Sequence, residues 1–353
     1  MTERIVGAFF FADKFLQLQA SDAGAGHVLE RLAGFGVNTI FTESETYDEA
    51  WIRLAHSLGL RWFGSIACFS DHGNRNKAVF EHPELWPVTA TGRRRAPMEW
   101  YIGITPTYEE YAHRQLDLAL RLAEVHSFDG LMLDFVRWPL HWELECRPGA
   151  DPQHCSFDAH TIRQFEQFAQ VSVPVQAVAG RASWILTNAL EQWTDFKCAV
   201  ITGFVREMVR RFRSVRPDLL TGLFVVPLAP AQRELLVGQR IADLAPLVHY
   251  VLPMAYHAIL HRPASWVAST VGEIACAAPG KALPVLQVDS QEGPALGSDW
   301  GSPVAAEEWE RIARDTLGVP GVRGCVAFTG TALEFDNRGE ALRRLLQQNH
   351  LAE

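Results

Sequence analysis

The sequence predicts an α/β protein, a (β/α)8 TIM barrel with extended loops after strands 3 and 4. Three observations carry this prediction. Short apolar runs alternate with helical patterns along the whole chain of 353 residues. Eight such runs occur, and they are apolar on both faces, as parallel strands covered by helices are. No Pro-, Gly- or Ser-rich segment divides the chain, so one barrel domain over 1–353 accounts for its length. A doubly wound open sheet is the competing arrangement, but it generally uses fewer strands, and no GxGxxG follows the first run.

The first strand is the compact apolar run 5–11, bounded by Ala12 and Asp13. A helical pattern follows over 23–35 and is closed by Gly36. Strand 2 spans 37–42, a helix spans 47–58 up to Gly59, and strand 3 spans 61–69 around WFGSIACF. A long polar segment, 70–106, then interrupts the rhythm. Thr107 followed by Glu110 makes a capping box for a helix over 107–125. Strand 4 is the segment DGLMLDFVRWP, 129–139, after which 140–156 is a polar loop carrying Pro and Gly. Helices are expected over 157–170 and over 182–213, the second of them with a possible break. Strands 5, 6, 7 and 8 fall at 219–226, 248–254, 283–288 and 324–329, with helices over 264–277, 303–317 and 336–348.

Composition narrows the function. Hydrophobic residues at 48% and charged residues at 21% suit a globular protein with a sizeable core. The formal charge of −9 and the lack of a long basic block argue against a nucleic-acid partner. The short run Arg93–Arg94–Arg95 reads as a solvated loop. No run approaches the ~20 apolar residues that span a bilayer, so no membrane partner is expected. The apolar stretch 5–12 is short for a signal peptide and no small-residue cleavage site follows, so a cytoplasmic location is expected. The six cysteines show no CxxC. Cys68, Cys198, Cys276 and Cys325 lie in apolar segments and read as small core residues. Cys146 and Cys155 flank a loop and could pair, although free thiols are expected in a reducing compartment. No cofactor motif and no tight metal-ligand spacing is present, so neither is expected. Oligomeric state is left open.

In a TIM barrel the active site lies at the C-terminal ends of the strands. Polar residues at those ends are Asp13 after strand 1, Glu43 and Glu45 after strand 2, and Asp71, His72 and Asn74 after strand 3. Strand 4 delivers Asp134, Arg137 and Trp138, followed by His141, Trp142, Glu143 and Glu145, the two glutamates reading as partly solvated. Tyr256 and His257 follow strand 6, Gln287, Asp289 and Glu292 follow strand 7, and Thr329 ends strand 8. The mouth is therefore acidic and aromatic, which suits a polyhydroxylated ligand: carboxylates accept from hydroxyls and aromatic faces stack on sugar rings. Glycoside hydrolysis requires two carboxyl groups, one protonated and one ionised. Asp134 is the leading candidate for one, as nucleophile or base, with Arg137 keeping it ionised. Asp289, Glu43 and Asp71 are alternatives for the other, and the sequence does not choose among them. Trp138, Trp142, Tyr256, His257 and Trp100 are candidate walls of the sugar site.

The same residues carry a resemblance. DGLMLDFVRWP is similar to the DG…xDxxRxP segment of the glycoside-hydrolase-like barrel families, the family-10-like glycosyl hydrolases and their relatives among them. HPELWPVTATG with WYIGITPTYEEYAHR, the helix containing Trp193 and Lys197 with Pro217 and Gly222 beyond it, YVLPMAYH, PVLQV and GVRGCVAFTG resemble further segments of those families in the same order. The resemblance spans nearly the whole chain. It implies a TIM barrel with a carbohydrate-directed site and points to Asp134, Arg137, Tyr256 and Gln287. Lys197 departs from it, since arginine is usual there. The expected activity is hydrolysis of a small oligosaccharide or glycoside. A metal-dependent sugar isomerase, epimerase or lyase and a non-catalytic carbohydrate-binding barrel are the alternatives.

Overall fold

All eight apolar runs form strands. The computed structural model describes residues 4–11, 24–43, 47–288, 300–301 and 303–348. The strands are β1 (Ile5–Phe11), β2 (Thr39–Glu43), β3 (Arg61–Ala67), β4 (Gly130–Asp134), β5 (Leu220–Val225), β6 (Tyr250–Ala255), β7 (Val285–Gln287) and β8 (Gly324–Phe328). They pair in parallel in chain order, and β1 closes on β8 with Ile5 opposite Gly324 and Phe9 opposite Phe328. The result is the closed (β/α)8 barrel that the alternation predicts.

Alternation along each strand sorts the residues into two layers. Phe9, Phe41, Phe63, Met132, Phe224, Leu252, Val285 and Val326 share one apolar cluster. Phe9 on β1 meets Phe224 on β5 with ring centroids 6.0 Å apart, a contact across the barrel that identifies this cluster as its interior. Small residues make room for these rings: a Cβ on Gly130 would stand 2.9 Å from Phe63 Cδ1, and one on Gly222 2.6 Å from Met132 Sδ. Residues of the opposite parity, such as Ile40, Leu131, Leu133 and Val251, pack beneath the helices in a separate cluster. Glu43, Asp134, Tyr256, Gln287 and Phe328 continue the interior parity at the C-terminal strand ends, and so face the mouth.

The helices follow the predicted order, with the unpredicted helices Pro230–Val237 and Ile241–Leu244 added between β5 and β6. The expected capping box does not form: the helix begins at Glu109, and Thr107 Oγ1 instead meets Thr161 Oγ1 at 2.7 Å. The long helical stretch breaks, as expected, and does so at Ala189, giving Val178–Asn188 and Leu190–Val215. Arg95 is fully buried rather than solvated, and its guanidinium pairs with the carboxylate of Glu145. Glu145, expected to be partly solvated, is likewise buried. Cys146 and Cys155 are free thiols, and Cys276 is exposed, whereas Cys68, Cys198 and Cys325 are buried.

The long segments after β3 and β4 are tied to one another. Residues 68–108 form the 3-10 turns His72–Asn74 and Pro83–Leu85 and the short helix Lys77–Glu81. Thr89 bridges Cys155, and Phe157 N donates to Val88 O at 2.9 Å. Glu145 also accepts from His141 N at 2.6 Å and from Gln153 N at 2.9 Å. This buried network fixes the chain on one side of the mouth.

Candidate active site

Asp134 closes β4 and faces the barrel axis. The next residue, Phe135, takes a left-handed conformation with φ of 48°. Its amide donates to Asp134 Oδ1 at 2.6 Å. The turn carries Arg137 back over the Phe135 ring, with the guanidinium carbon 4.3 Å from the centroid and Nη1 3.6 Å from Asp134 Oδ1. Arg137 is buried, and among the described residues its Nε and Nη1 have no hydrogen-bond partner.

The charge balance at Asp134 runs opposite to the expectation from its neighbour. Burial, reinforced by the Glu43 carboxylate, raises the Asp134 carboxyl to about 7, against the opposing pull of Arg137, the Phe135 amide and His72. A nearby cation is outweighed by removal from water and by a like charge. Near neutrality the protonated form of Asp134 is therefore substantially populated.

Glu43 ends β2 with the interior parity of Phe41. Its Oε1 lies 3.1 Å from His72 Nε2. His72 packs against Phe135 at 4.6 Å and against Trp100 at 5.1 Å. Trp100, half-buried, also meets His141 at 5.0 Å. His141 Nδ1 lies 3.2 Å from Glu143 Oε2 and its Nε2 3.6 Å from Glu99 Oε2. Burial would raise the Glu143 carboxyl, yet His141 and then Arg137 hold it below the usual range.

The opposite wall is aromatic. Tyr256 stacks on Phe328 at 4.5 Å and 14°, and Trp300 stacks on the same ring at 5.8 Å and 16°. Trp142 is fully buried and meets Tyr256 at 5.5 Å. Burial, then the negative charges of Asp134, Glu143 and Glu43, push the Tyr256 phenol well up, so it remains a donor.

Other sequence candidates lie elsewhere. Trp138 belongs to the outer layer: it is fully buried against Trp193 and Phe196 and donates from Nε1 to Lys197 O at 3.0 Å. The strand has ended at Asp134, and the turn at Phe135 sends Val136 and Trp138 beneath the helices. Lys197 is buried beside it, and its Nζ donates to Leu235 O and Leu236 O, both at 2.7 Å, at the end of helix Pro230–Val237. His257 turns outward, with Nε2 3.7 Å from Glu308 Oε1 on helix Ala306–Leu317. Asp71 also faces outward: Oδ2 accepts from Ala78 N at 2.6 Å, and the residue lines a groove with Tyr111, Arg114 and Gln115. Gln287 faces inward but is fully buried, accepting from Ile259 N at 3.0 Å and donating to Trp300 O at 3.1 Å. It braces two loops. Asp289, with Glu45 and Glu292, lies outside the described residues.

Phe328 and Trp300 were not among the sequence candidates. Phe328 had a signal, since it shares the parity of Val326, whereas the residue singled out at that strand end was Thr329. Position after strand 3 alone assigns His72 no role. Among the described residues, no group of three or more His, Cys, Asp and Glu side chains is placed to hold a metal ion, and no helix is long and apolar enough to cross a membrane.

No family model and no curated protein matches the chain. Solved structures do. The PgaB (BpsB) glycoside hydrolase domain from Bordetella bronchiseptica superposes with a TM-score of 0.66 at 14% identity, covering 97% of this chain and 98% of that one. A β-galactosidase from the psychrophilic Marinomonas ef1 gives 0.66 at 9% identity over 98% of this chain, which spans only 59% of the galactosidase. A chitinase from Chromobacterium violaceum gives 0.55 at 12% identity, covering 97% and 99% of the two chains. The barrel is glycosidase-like in architecture, as the motif resemblance implied. At these identities the likeness is one of fold.

Proposed function

We propose that the protein is a glycoside hydrolase acting on a small oligosaccharide or glycoside, with residues 1–353 forming one catalytic barrel domain. The observation that carries this reading is the pair Asp134 and Glu43: two carboxyl groups project from β4 and β2 into one mouth, and the first is biased towards its protonated form. Glycoside hydrolysis needs that division of labour.

In this reading Asp134 donates its proton to the glycosidic oxygen as the bond from that oxygen to the anomeric carbon breaks. Glu43 acts on the anomeric carbon, directly or through a water molecule, and water supplies the hydroxyl of the released sugar. This reverses the expectation that Asp134 is the ionised partner. The Arg137 guanidinium and the Tyr256 phenol would donate to sugar oxygens, Glu143 would accept from a hydroxyl, and Trp100 would cover a ring face. Carboxyl separation sets the stereochemistry, about 5–5.5 Å for retention and about 6.5–9.5 Å for inversion.

The test is turnover of a panel of aryl, alkyl and disaccharide glycosides by the wild type, Asp134→Asn and Glu43→Gln, with folding followed by circular dichroism. A general acid matters least when the leaving group is already good. Asp134→Asn should therefore lose activity on alkyl or sugar leaving groups and keep much of it on dinitrophenyl glycosides. Glu43→Gln should lose both. Full activity of Asp134→Asn on an unactivated glycoside would remove Asp134 from the reaction.

A further inference from the structure

We propose that Ser70 and His72 form a positioning relay behind Glu43. The catalytic consequence rests on the glycosidase reading above, whereas the relay itself rests on geometry alone. His72 opens the 3-10 turn that follows β3. Its Nδ1 lies 3.0 Å from Ser70 Oγ, and its Nε2 lies 3.1 Å from Glu43 Oε1. Both ring nitrogens are thus engaged, and the ring is fixed between Phe135 and Trp100. In the imidazolium both nitrogens donate, so Ser70 Oγ and the Glu43 carboxylate both accept.

The charged groups around the ring come from four places. Glu43 on β2 and Asp134 on β4 favour the imidazolium, and Arg137 beyond β4 opposes it. Asp71, on the same turn, has its own carboxyl raised by burial against the opposing pull of the Ala78 amide and then of His72. For His72 burial disfavours the charge, and the Glu43 contact outweighs it, so the imidazole is shifted upward. A cation held there does two things for Glu43. It ties one carboxylate oxygen in place, and it sets a counter-charge 3.1 Å from that oxygen, beside a second carboxyl group. His72 touches no reacting atom, so its role is positioning.

Two measurements test the relay. The first is a pH titration of the ¹⁵N-histidine-labelled full chain by NMR, with His72 assigned through His72→Gln. Glu43→Gln should lower the His72 pKa by about one unit or more, the effect of removing an opposite charge in contact. Unchanged titration in Glu43→Gln would overturn the relay whether or not any glycoside is turned over. The second is the pH profile of kcat/KM for His72→Gln and Ser70→Ala on an activated glycoside. The acidic limb should move up by about one pH unit in His72→Gln, a loss of about tenfold below that limb with little change above it, and less in Ser70→Ala. A uniform loss at all pH values would mark His72 as merely structural and overturn the proposal. If the wild type turns over no glycoside while the NMR shift appears, the relay stands and the glycosidase reading fails.

Discussion

Asp134→Asn should stabilise the fold at neutral and alkaline pH, even as turnover of unactivated glycosides is lost. Burial and the Glu43 charge lift the native carboxyl from the ordinary aspartate range to about 7. The native state then holds a proton that the unfolded chain has released, between about pH 4 and 7. Stability of the wild type falls as pH rises through that window, and the loss is complete above about 7. At about 1.4 kcal/mol for each pH unit, the full cost has a ceiling of about 4 kcal/mol. For a chain of 353 residues this corresponds to roughly 5 °C in melting temperature. Asparagine is nearly isosteric and can still accept from the Phe135 amide, so it escapes the cost of ionisation. Thermal melts from pH 4 to pH 8 check this. The two proteins should melt together near pH 4, and the mutant should melt higher at pH 8. A mutant that melts lower at pH 8, by a margin that grows with pH, would show Asp134 to be a stabilising partner of Arg137. The acid assignment would then be wrong.

Two further outcomes follow from side-chain placement. Trp138→Ala should cost about 3–5 kcal/mol of stability and leave KM unchanged, because the ring fills the outer layer; Trp100→Ala should raise KM at a smaller stability cost, because it lies at the mouth. Paired melts and Michaelis curves separate the two. Glu145→Ala should cost about 3–5 kcal/mol by stranding the buried Arg95, and Arg95→Met added to it should recover part of the loss, as measured by chemical denaturation.

The strands were legible because a doubly covered parallel strand is apolar at consecutive positions, and DGLMLD, PVLQV and the others meet that condition. Helix detail was less legible. Thr107 and Glu110 have the spacing of a capping box, but Thr107 finds Thr161 from a distant helix, a partner that local spacing does not contain. The burial of Arg95 has the same cause: its carboxylate arrives from the loop after β4. Trp138 and His257 were assigned to the mouth because they follow strand ends. Parity decides instead, since the residues with the alternation of Met132 and Leu252 are Asp134 and Tyr256, and their neighbours turn under the helices.

Asp134 shows where local reading of charge stops. In the sequence its evident partner is Arg137, three residues away, and proximity to a cation suggests a low pKa. In the barrel the β3 strand lies between β2 and β4, and its register brings Glu43 to the same mouth. The run that places Asp134 there also buries it, so the cation acts against both desolvation and a like charge. Arg137, the Phe135 amide and His72 favour the carboxylate, and they are outweighed by burial and the Glu43 charge, both set by barrel closure. A group that would be an ordinary ion pair on a surface helix becomes a carboxyl whose proton is held up to about neutral pH, because the same closure supplies the burial and the second carboxylate.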